Sequence, residues 1–221
     1  MKNTLIRISM VMVFFPIVAL AEFSANVALT TDYVWRGVSQ TEGDPAIQGS
    51  VEYAHDSGFY AGVWASNASF VDDSETDVEI NYYAGYSREY DSGFSWDVSA
   101  YIYKYPGSSI ETSHEYFLVL GYDMFSATIA RDFENKNDYY QLAAEMEVGN
   151  GIMLAGHVGE YDFNDGVEYT NYRLALSKEI KGFNFELSYT DTDFSDTECL
   201  DFSGADNLCD GRFIFTLSTD M

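Results

Sequence analysis

The side chains able to do chemistry in this chain are mostly carboxylates, and they tend to fall two residues apart. Asp77 and Glu79 form one such pair, Glu145 and Glu147 another. In an extended strand that spacing puts both members on one face. Asp32, Arg36, Glu52, Asp97, His157, Arg173 and Glu186 occupy the polar phase of similar stretches. Carboxylates ringing a water-filled interior select cations. The pattern therefore predicts a polar lumen with a cation-favouring field, in which Arg36 and Arg173 set a local transverse field against the acids. The same pairs are ordinary same-face neighbours and give no acid–base dyad by themselves. A serine hydrolase would need an activated serine beside a histidine. There is no G-x-S-x-G, and the 3 histidines are scattered. His55 falls in a predicted turn, His114 in a loop and His157 toward the lumen, so clustered zinc ligands are lacking too. No catalytic residue, cofactor or metal is expected.

The elements that must position these groups are strands. From Phe23 to Trp35 every odd position is apolar or small, while Ser24, Asn26, Thr30, Asp32 and Arg36 hold even ones. That is a period of two with one greasy and one polar face. Eleven further runs are predicted at 47–53, 59–66, 78–86, 94–102, 116–122, 125–131, 140–148, 152–158, 172–177, 183–189 and 213–221. The outward face of the run at 59–66 is either Phe59/Ala61/Val63/Ala65 or Tyr60/Gly62/Trp64. The run at 116–122 is almost wholly apolar and equally open.

Connections between runs alternate long and short, and the short ones repeat. Asp56-Ser57-Gly58-Phe59 recurs as Asp91-Ser92-Gly93-Phe94, and Lys181-Gly182-Phe183 echoes both. Aspartate and glycine favour tight turns. An even strand number with short turns at one end and long loops at the other is the layout of an outer-membrane barrel. Aromatics flanking the short turns (Tyr53 and Phe59, Tyr86 and Phe94, Tyr122 and Phe125) should form a lower girdle. Tyr33, Trp35 and Tyr189 would belong to an upper one.

Bulk properties fit export. Lys2 and Arg7 precede an apolar stretch, and Ala19-Leu20-Ala21 is a cleavage signal, so residues 1–21 read as a signal peptide and 22–221 as one domain. Losing those two bases and no acid takes the formal charge from −25 to −27. Such a chain has no basic patch for nucleic acid. Aromatic residues at 17% argue against disorder and need a core or lipid to cover them. After Ala21 no apolar run approaches the length of a spanning helix, so a closed sheet is the remaining route across a membrane. Cys199 and Cys209, the only cysteines, are expected to form a disulfide in an oxidising compartment. They lie in the longest loop, where Asp191, Asp193, Asp196, Glu198, Asp201, Asp206 and Asp210 also fall. Asp191-Thr-Asp193-Phe-Ser195 lacks the glycine and final glutamate of an EF-hand, which favours a solvated external loop over a calcium site.

The segment Thr31-Asp-Tyr-Val-Trp-Arg-Gly-Val-Ser-Gln-Thr41 resembles the opening signature of the TorF porin family of proteobacterial exported proteins. The likeness extends over the mature chain in its signal peptide, tyrosine-rich hairpins and length. The resemblance implies an outer-membrane β-barrel with a channel role, and it brings no established substrate or catalytic residue. Such barrels commonly end in an aromatic that the assembly machinery reads. This chain ends in Met221, which keeps the outward phase of Phe213, Phe215 and Leu217.

The expectation is thus an all-β, transmembrane, antiparallel up-and-down barrel of about twelve strands, with short periplasmic turns and long external loops. Its lumen would be lined by Asp32, Arg36, Glu52, Asp77, Glu79, Asp97, Glu145, Glu147, His157, Arg173 and Glu186. It would sit in the outer membrane of a Gram-negative bacterium, in contact with lipid, lipopolysaccharide and the barrel assembly machinery, and pass small polar, cationic solutes. The alternatives are a closed barrel with a structural or adhesive role through acidic external loops, and a soluble exported β-sandwich.

Overall fold

A computed structural model describes residues 22–71 and 75–221; the expected signal segment lies outside them. The strands are β1 (Glu22–Thr30), β2 (Val34–Trp35), β3 (Val38–Ser39), β4 (Ala46–Ala54), β5 (Phe59–Asn67), β6 (Val78–Glu89) and β7 (Phe94–Lys104). They continue as β8 (Ser113–Tyr122), β9 (Phe125–Asp132), β10 (Asn137–Gly149), β11 (Ile152–Asp162), β12 (Glu168–Ile180), β13 (Phe183–Thr192) and β14 (Arg212–Asp220). All but β2 and β3 form one closed antiparallel barrel of twelve strands, each paired with its neighbour in the chain. β1 closes the ring against β14, from Asn26 opposite Asp220 to Thr30 opposite Thr216. Closure leaves no sheet edge, so each strand's backbone groups find partners within the wall.

The side-chain phase is that of a lipid-facing barrel. Leu118, Leu142, Leu174, Leu176 and Leu187 are exposed on the outside, while Ser126, Thr128, Gln141, Asn171, Ser177 and Ser188 are buried inside. A soluble protein rarely tolerates an exposed apolar surface beyond a few hundred Å². Here it wraps every strand, which excludes the soluble sandwich. Outward-phased charges stand near strand ends: Lys104, Arg131, Asp138 and Glu160 toward the long loops, Arg88 and Lys178 toward the short turns. Arg131 donates to both Asp138 carboxylate oxygens at 3.0 and 3.1 Å, so this outward pair neutralises itself. The band between stays aliphatic.

The short connections are 55–58, 90–93, 123–124, 150–151 and 181–182. The repeated turns are built alike: the N–H of Gly58 donates to the carbonyl of His55 at 2.8 Å, and that of Gly93 to Tyr90 at 2.9 Å. Rings meet beside this end, with Phe23 against Tyr53 at 5.2 Å and Tyr86 stacked on Trp96 at 5.7 Å.

The two faces left open by sequence are settled. Tyr60 of β5 reaches Asp97 across the interior while Phe59 and Val63 are exposed. On β8, Glu115, Phe117 and Val119 are buried, and Tyr116, Leu118, Leu120 and Tyr122 face out.

Two features depart from expectation. The first strand does not run to Trp35. It ends at Thr30, and residues 31–45 turn into the barrel, carrying the β2–β3 hairpin with them. Tyr33 is buried and Trp35 packs on Tyr103, so neither belongs to an outer girdle, whereas Tyr189 does lie outside against Phe213. The hairpin tip is Arg36-Gly37, both at positive φ (48° and 86°). This geometry suits a two-residue turn, because paired positive φ values match the twist of the flanking strands. The alternation of Val34-Trp35 continued the β1 phase and disguised the break. The second departure lies in the longest loop, which contains helix α1 (Asp196–Ser203). It opens with a capping box in which Ser195 and Glu198 satisfy one another's backbone N–H groups. The Cys199–Cys209 disulfide pins this helix to the rest of the loop.

Candidate functional site

The site is the barrel interior, and it has two levels. At the long-loop end it is packed. Asp32 ties down the base of the inserted segment: one carboxylate oxygen accepts from Ser39 Oγ at 2.7 Å and Thr41 Oγ1 at 3.0 Å, the other from Arg212 at 2.8 Å. The Tyr33 ring meets Trp64 edge-on at 5.3 Å, and its hydroxyl donates to Glu79 at 3.3 Å. Asn81 supplies Glu79 with a second donor at 2.8 Å.

Arg36 fills the centre of this upper level at 8% exposure. Its guanidinium carbon lies 3.8 Å from the Tyr139 ring centre, 4.5 Å from Tyr161 and 4.8 Å from Trp35. Glu115 stands 2.8 Å from Nη2 and also accepts from the Tyr103 hydroxyl at 3.0 Å. The Arg36–Glu115 contact is an ion pair rather than an aligned hydrogen bond, so the two terminal nitrogens face rings as much as oxygen. Aromatic faces attract a desolvated cation electrostatically. A side chain added at Gly37 would strike Thr192 and crowd Asn171, so the tip is seated hard against β12 and β13.

The α1 loop closes over the hairpin. The N–H of Ser39 donates to the Leu208 carbonyl at 3.0 Å, and Val38 packs in a buried cluster with Tyr169, Cys199, Leu208 and Cys209. Phe163, Phe194 and Phe202 pack against that cluster. Among the described residues, the clusters of buried apolar side chains lie at this end of the barrel.

Nearer the short turns the lining changes. Tyr60, Tyr83, Tyr101 and Glu52 are only half-buried. Tyr60 donates to Asp97 at 2.7 Å and Tyr83 to Glu52 at 3.0 Å. Asp97, at 1% exposure, also accepts from Ser99 at 3.0 Å. Gly62 lies directly opposite Tyr83, and Gly85 opposite Tyr60. A Cβ at either glycine would collide with the facing phenol. Each ring therefore lies over the partner strand, against the wall, where only glycine leaves room.

The facing wall, from β12 round to β1, is built of small polar groups such as Ser177, Ser188, Thr190, Thr216 and Asn26. Arg173 pairs there with Glu186, and His157 Nε2 lies 3.1 Å from Asn171 Oδ1.

The expected lumen residues are thus distributed. Asp32 and Arg36 are inside, delivered by the hairpin rather than by a strand. Glu79 lies in the upper level; Glu52 and Asp97 in the lower; His157, Arg173 and Glu186 across from them. Glu145 is buried on β10. Asp77 is exposed just ahead of β6, and Glu147 is exposed near the short-turn mouth, where it accepts from the N–H of Gly151 at 3.0 Å. Sequence reading missed Glu115 as an interior group; Tyr83 and Tyr101 fall in the inward phase but do not stand out as lining, and Tyr60 lies on the run whose face the sequence leaves open. Glu115 precedes an apolar run whose phase was ambiguous, and tyrosine suits either face of such a barrel. Among the described residues no cluster of potential metal ligands forms.

A closed twelve-stranded antiparallel barrel with aliphatic exterior and polar interior is the fold class to which this chain belongs. Three solved structures share this fold. The KdgM porin superposes with a TM-score of 0.59 at 9% identity, covering 89% of this chain and 97% of that one. The NanC porin gives 0.55 at 10% identity, covering 89% and 98%. A KdgM porin in complex with disordered oligogalacturonate gives 0.60 at 9% identity, over 89% and 97%. Comparison with curated protein sequences returns no match. The family model described as a bacterial protein of unknown function, Gcw_chp, matches residues 19–220, and the chain belongs to that family.

Proposed function

We propose that this protein is an outer-membrane channel for passive diffusion of small polar solutes, with cations favoured. One observation carries the reading: a sealed ring of strands turns hydrocarbon-compatible side chains outward and a polar wall, with Glu52 and Asp97 among its acids, inward. The short turns then face the periplasm and the long loops the exterior, as in outer-membrane barrels generally. The likeness of the 31–41 segment to the TorF porins supports the same role. Export through a signal peptide, contact with lipid and lipopolysaccharide, and insertion by the barrel assembly machinery follow from that location. A passive channel needs neither a catalytic residue nor a cofactor.

The KdgM porin has been seen with an oligogalacturonate, a polyanion. The carboxylates of the lower wall here would repel such a solute, so the favoured cargo differs in sign. The second reading, a closed barrel acting through its acidic external loops, is favoured by the buried hairpin at the upper level. Planar-bilayer recording in asymmetric potassium chloride separates them. Steady conductance with a cation-selective reversal potential supports the channel; anion selectivity removes the cation preference; absence of current supports the closed barrel.

A further inference from the structure

Residues 31–45 cross the bore from side to side. Tyr33 touches β5 and β6, Trp35 touches β7, and Arg36 touches β8, β10 and β11. Gly37 lies against β12 and β13, and Asp32 is held by Arg212 of β14. β1 runs into the segment and β4 out of it, so its contacts go round the wall. None of them is a backbone hydrogen bond. The backbone of the tip bonds to itself instead: Val34 pairs with Ser39 and Trp35 with Val38, and the N–H of Gln40 donates to the Tyr33 carbonyl at 2.6 Å. Beyond the hairpin it bonds to loops, with the N–H of Ser39 donating to Leu208 and that of Ser69 to Gln40. Among the described residues no backbone hydrogen bond joins 33–40 to a barrel strand. At the roots, Thr41 Oγ1 and Arg212 both donate to Asp32, which ties the two ends of the hairpin to each other and to β14. An element built this way can leave its seat as one body without opening a rung of the wall, as hinged segments do.

We infer that residues 33–40 are a gate across the channel, hinged at Asp32 and Thr41 and latched from outside by the α1 loop. This rests on the channel reading above and adds what controls the flow. Seated, the hairpin obstructs the upper level; swung aside, it leaves the polar wall as the lining. The latch is the Ser39–Leu208 hydrogen bond together with Val38 in the apolar cluster around the disulfide. On the far side Arg36 holds the seat through Glu115 and the rings. That attraction is offset by the desolvation of both charges, which water restores on release. The seated and released states therefore lie close enough to exchange.

The test is single-channel recording of the full barrel in planar bilayers, with the parent set against a variant in which two glycines replace residues 33–40. The parent should step between a lower and a higher current level, and the variant should stay at the higher one. Trp35→Ala removes the contact with Tyr103 and keeps Arg36. It should show both parental levels and spend several-fold more time at the higher. Heat-modifiable gel mobility reports whether each variant is folded; if the glycine replacement does not fold, the parent and Trp35→Ala still decide. A parent held at one level overturns the gate and leaves the channel reading standing. Stepping that persists in the glycine variant, or parental occupancy in Trp35→Ala, does the same. A parent that passes no current overturns the channel reading, and the gate with it.

Discussion

The upper and lower halves of the lumen contrast in what completes their charge. Above, Glu115 is neutralised by Arg36, and the side chains around the pair are buried into a plug. Below, Glu52 and Asp97 have only neutral donors, and the tyrosines beside them are half-buried. The comparison teaches that an acid-and-ring lining packs into a plug where the chain brings its own cation. Both halves stand on the same strands, so the wall does not decide the matter; residues 31–45 do.

The largest effect should come from removing that internal cation. Arg36→Ala leaves Glu115 buried without its partner, which costs about 3–5 kcal/mol when a buried pair is broken from one side. Urea unfolding in lipid vesicles should register the loss. Single-channel recording should register a several-fold rise in conductance as the hairpin loosens. Arg36→Ala combined with Glu115→Gln should recover much of the stability while keeping the higher conductance, because no uncompensated charge remains. If the double variant conducts like the parent, the hairpin does not limit flow and the contrast between levels fails.

The next effect tests what fastens the plug. The disulfide closes the α1 loop, and that loop holds the hairpin through Ser39 and Leu208. Cys199→Ser with Cys209→Ser should lower stability by about 2–3 kcal/mol on a chain-entropy account. It should also add flicker to the channel current without moving the lower wall. Quiet current in the reduced protein would detach the loop from gating.

A third effect works on the lower wall alone. Gly62→Ala adds a methyl where the Tyr83 hydroxyl now lies, so the ring must lift off the wall toward the lumen. Overpacking of this kind costs about 1–3 kcal/mol. Conductance should fall while the Arg36 cage is untouched. Gly159→Ala, beneath the Tyr139 ring, is the matching change for the upper level. It should disturb the cage and leave the lower wall intact.

Much of the barrel was legible because lipid enforces a strict rule. Every outward position must be apolar at mid-height, so Leu142-x-Ala144-x-Met146 and Phe183-x-Phe185-x-Leu187 declare their phase without help. The alternation of turns and loops followed from Asp-Ser-Gly and Pro-Gly signals. The inside obeys no comparable rule. A lumen accepts serine, tyrosine or glutamate at the same register, and alternation cannot tell a strand from a hairpin that continues its phase. Val34-Trp35-Arg36-Gly37 was therefore read as wall although it is plug. The tell-tale was Arg36-Gly37, a two-residue turn between short apolar pairs. Glu115 was lost for a related reason: β8 is apolar on both faces where it passes beneath the plug, and composition alone gives such a strand no direction.

The smallest effect lies at the start of α1, on the outermost layer of the plug. Ser195 caps the helix and Glu198 returns a hydrogen bond to the Ser195 backbone N–H at 2.8 Å. The hydrogen bonds from Ser195 hold the Glu198 carboxyl below its usual range. A carboxyl whose folded value is depressed contributes stability at pH above its unfolded value, and the contribution is lost as pH falls through the folded one. The α1 loop should therefore loosen on acidification below the ordinary glutamate range, seen as faster amide exchange across 196–203. Ser195→Ala should cost about 1 kcal/mol at neutral pH and flatten that acid dependence, while the lower wall stays unchanged. Should exchange in 196–203 prove indifferent to acid in the parent protein, the cap contributes nothing to the plug. The hold on the hairpin would then rest on the disulfide, the Ser39–Leu208 hydrogen bond and the Asp32–Arg212 and Arg36–Glu115 pairs.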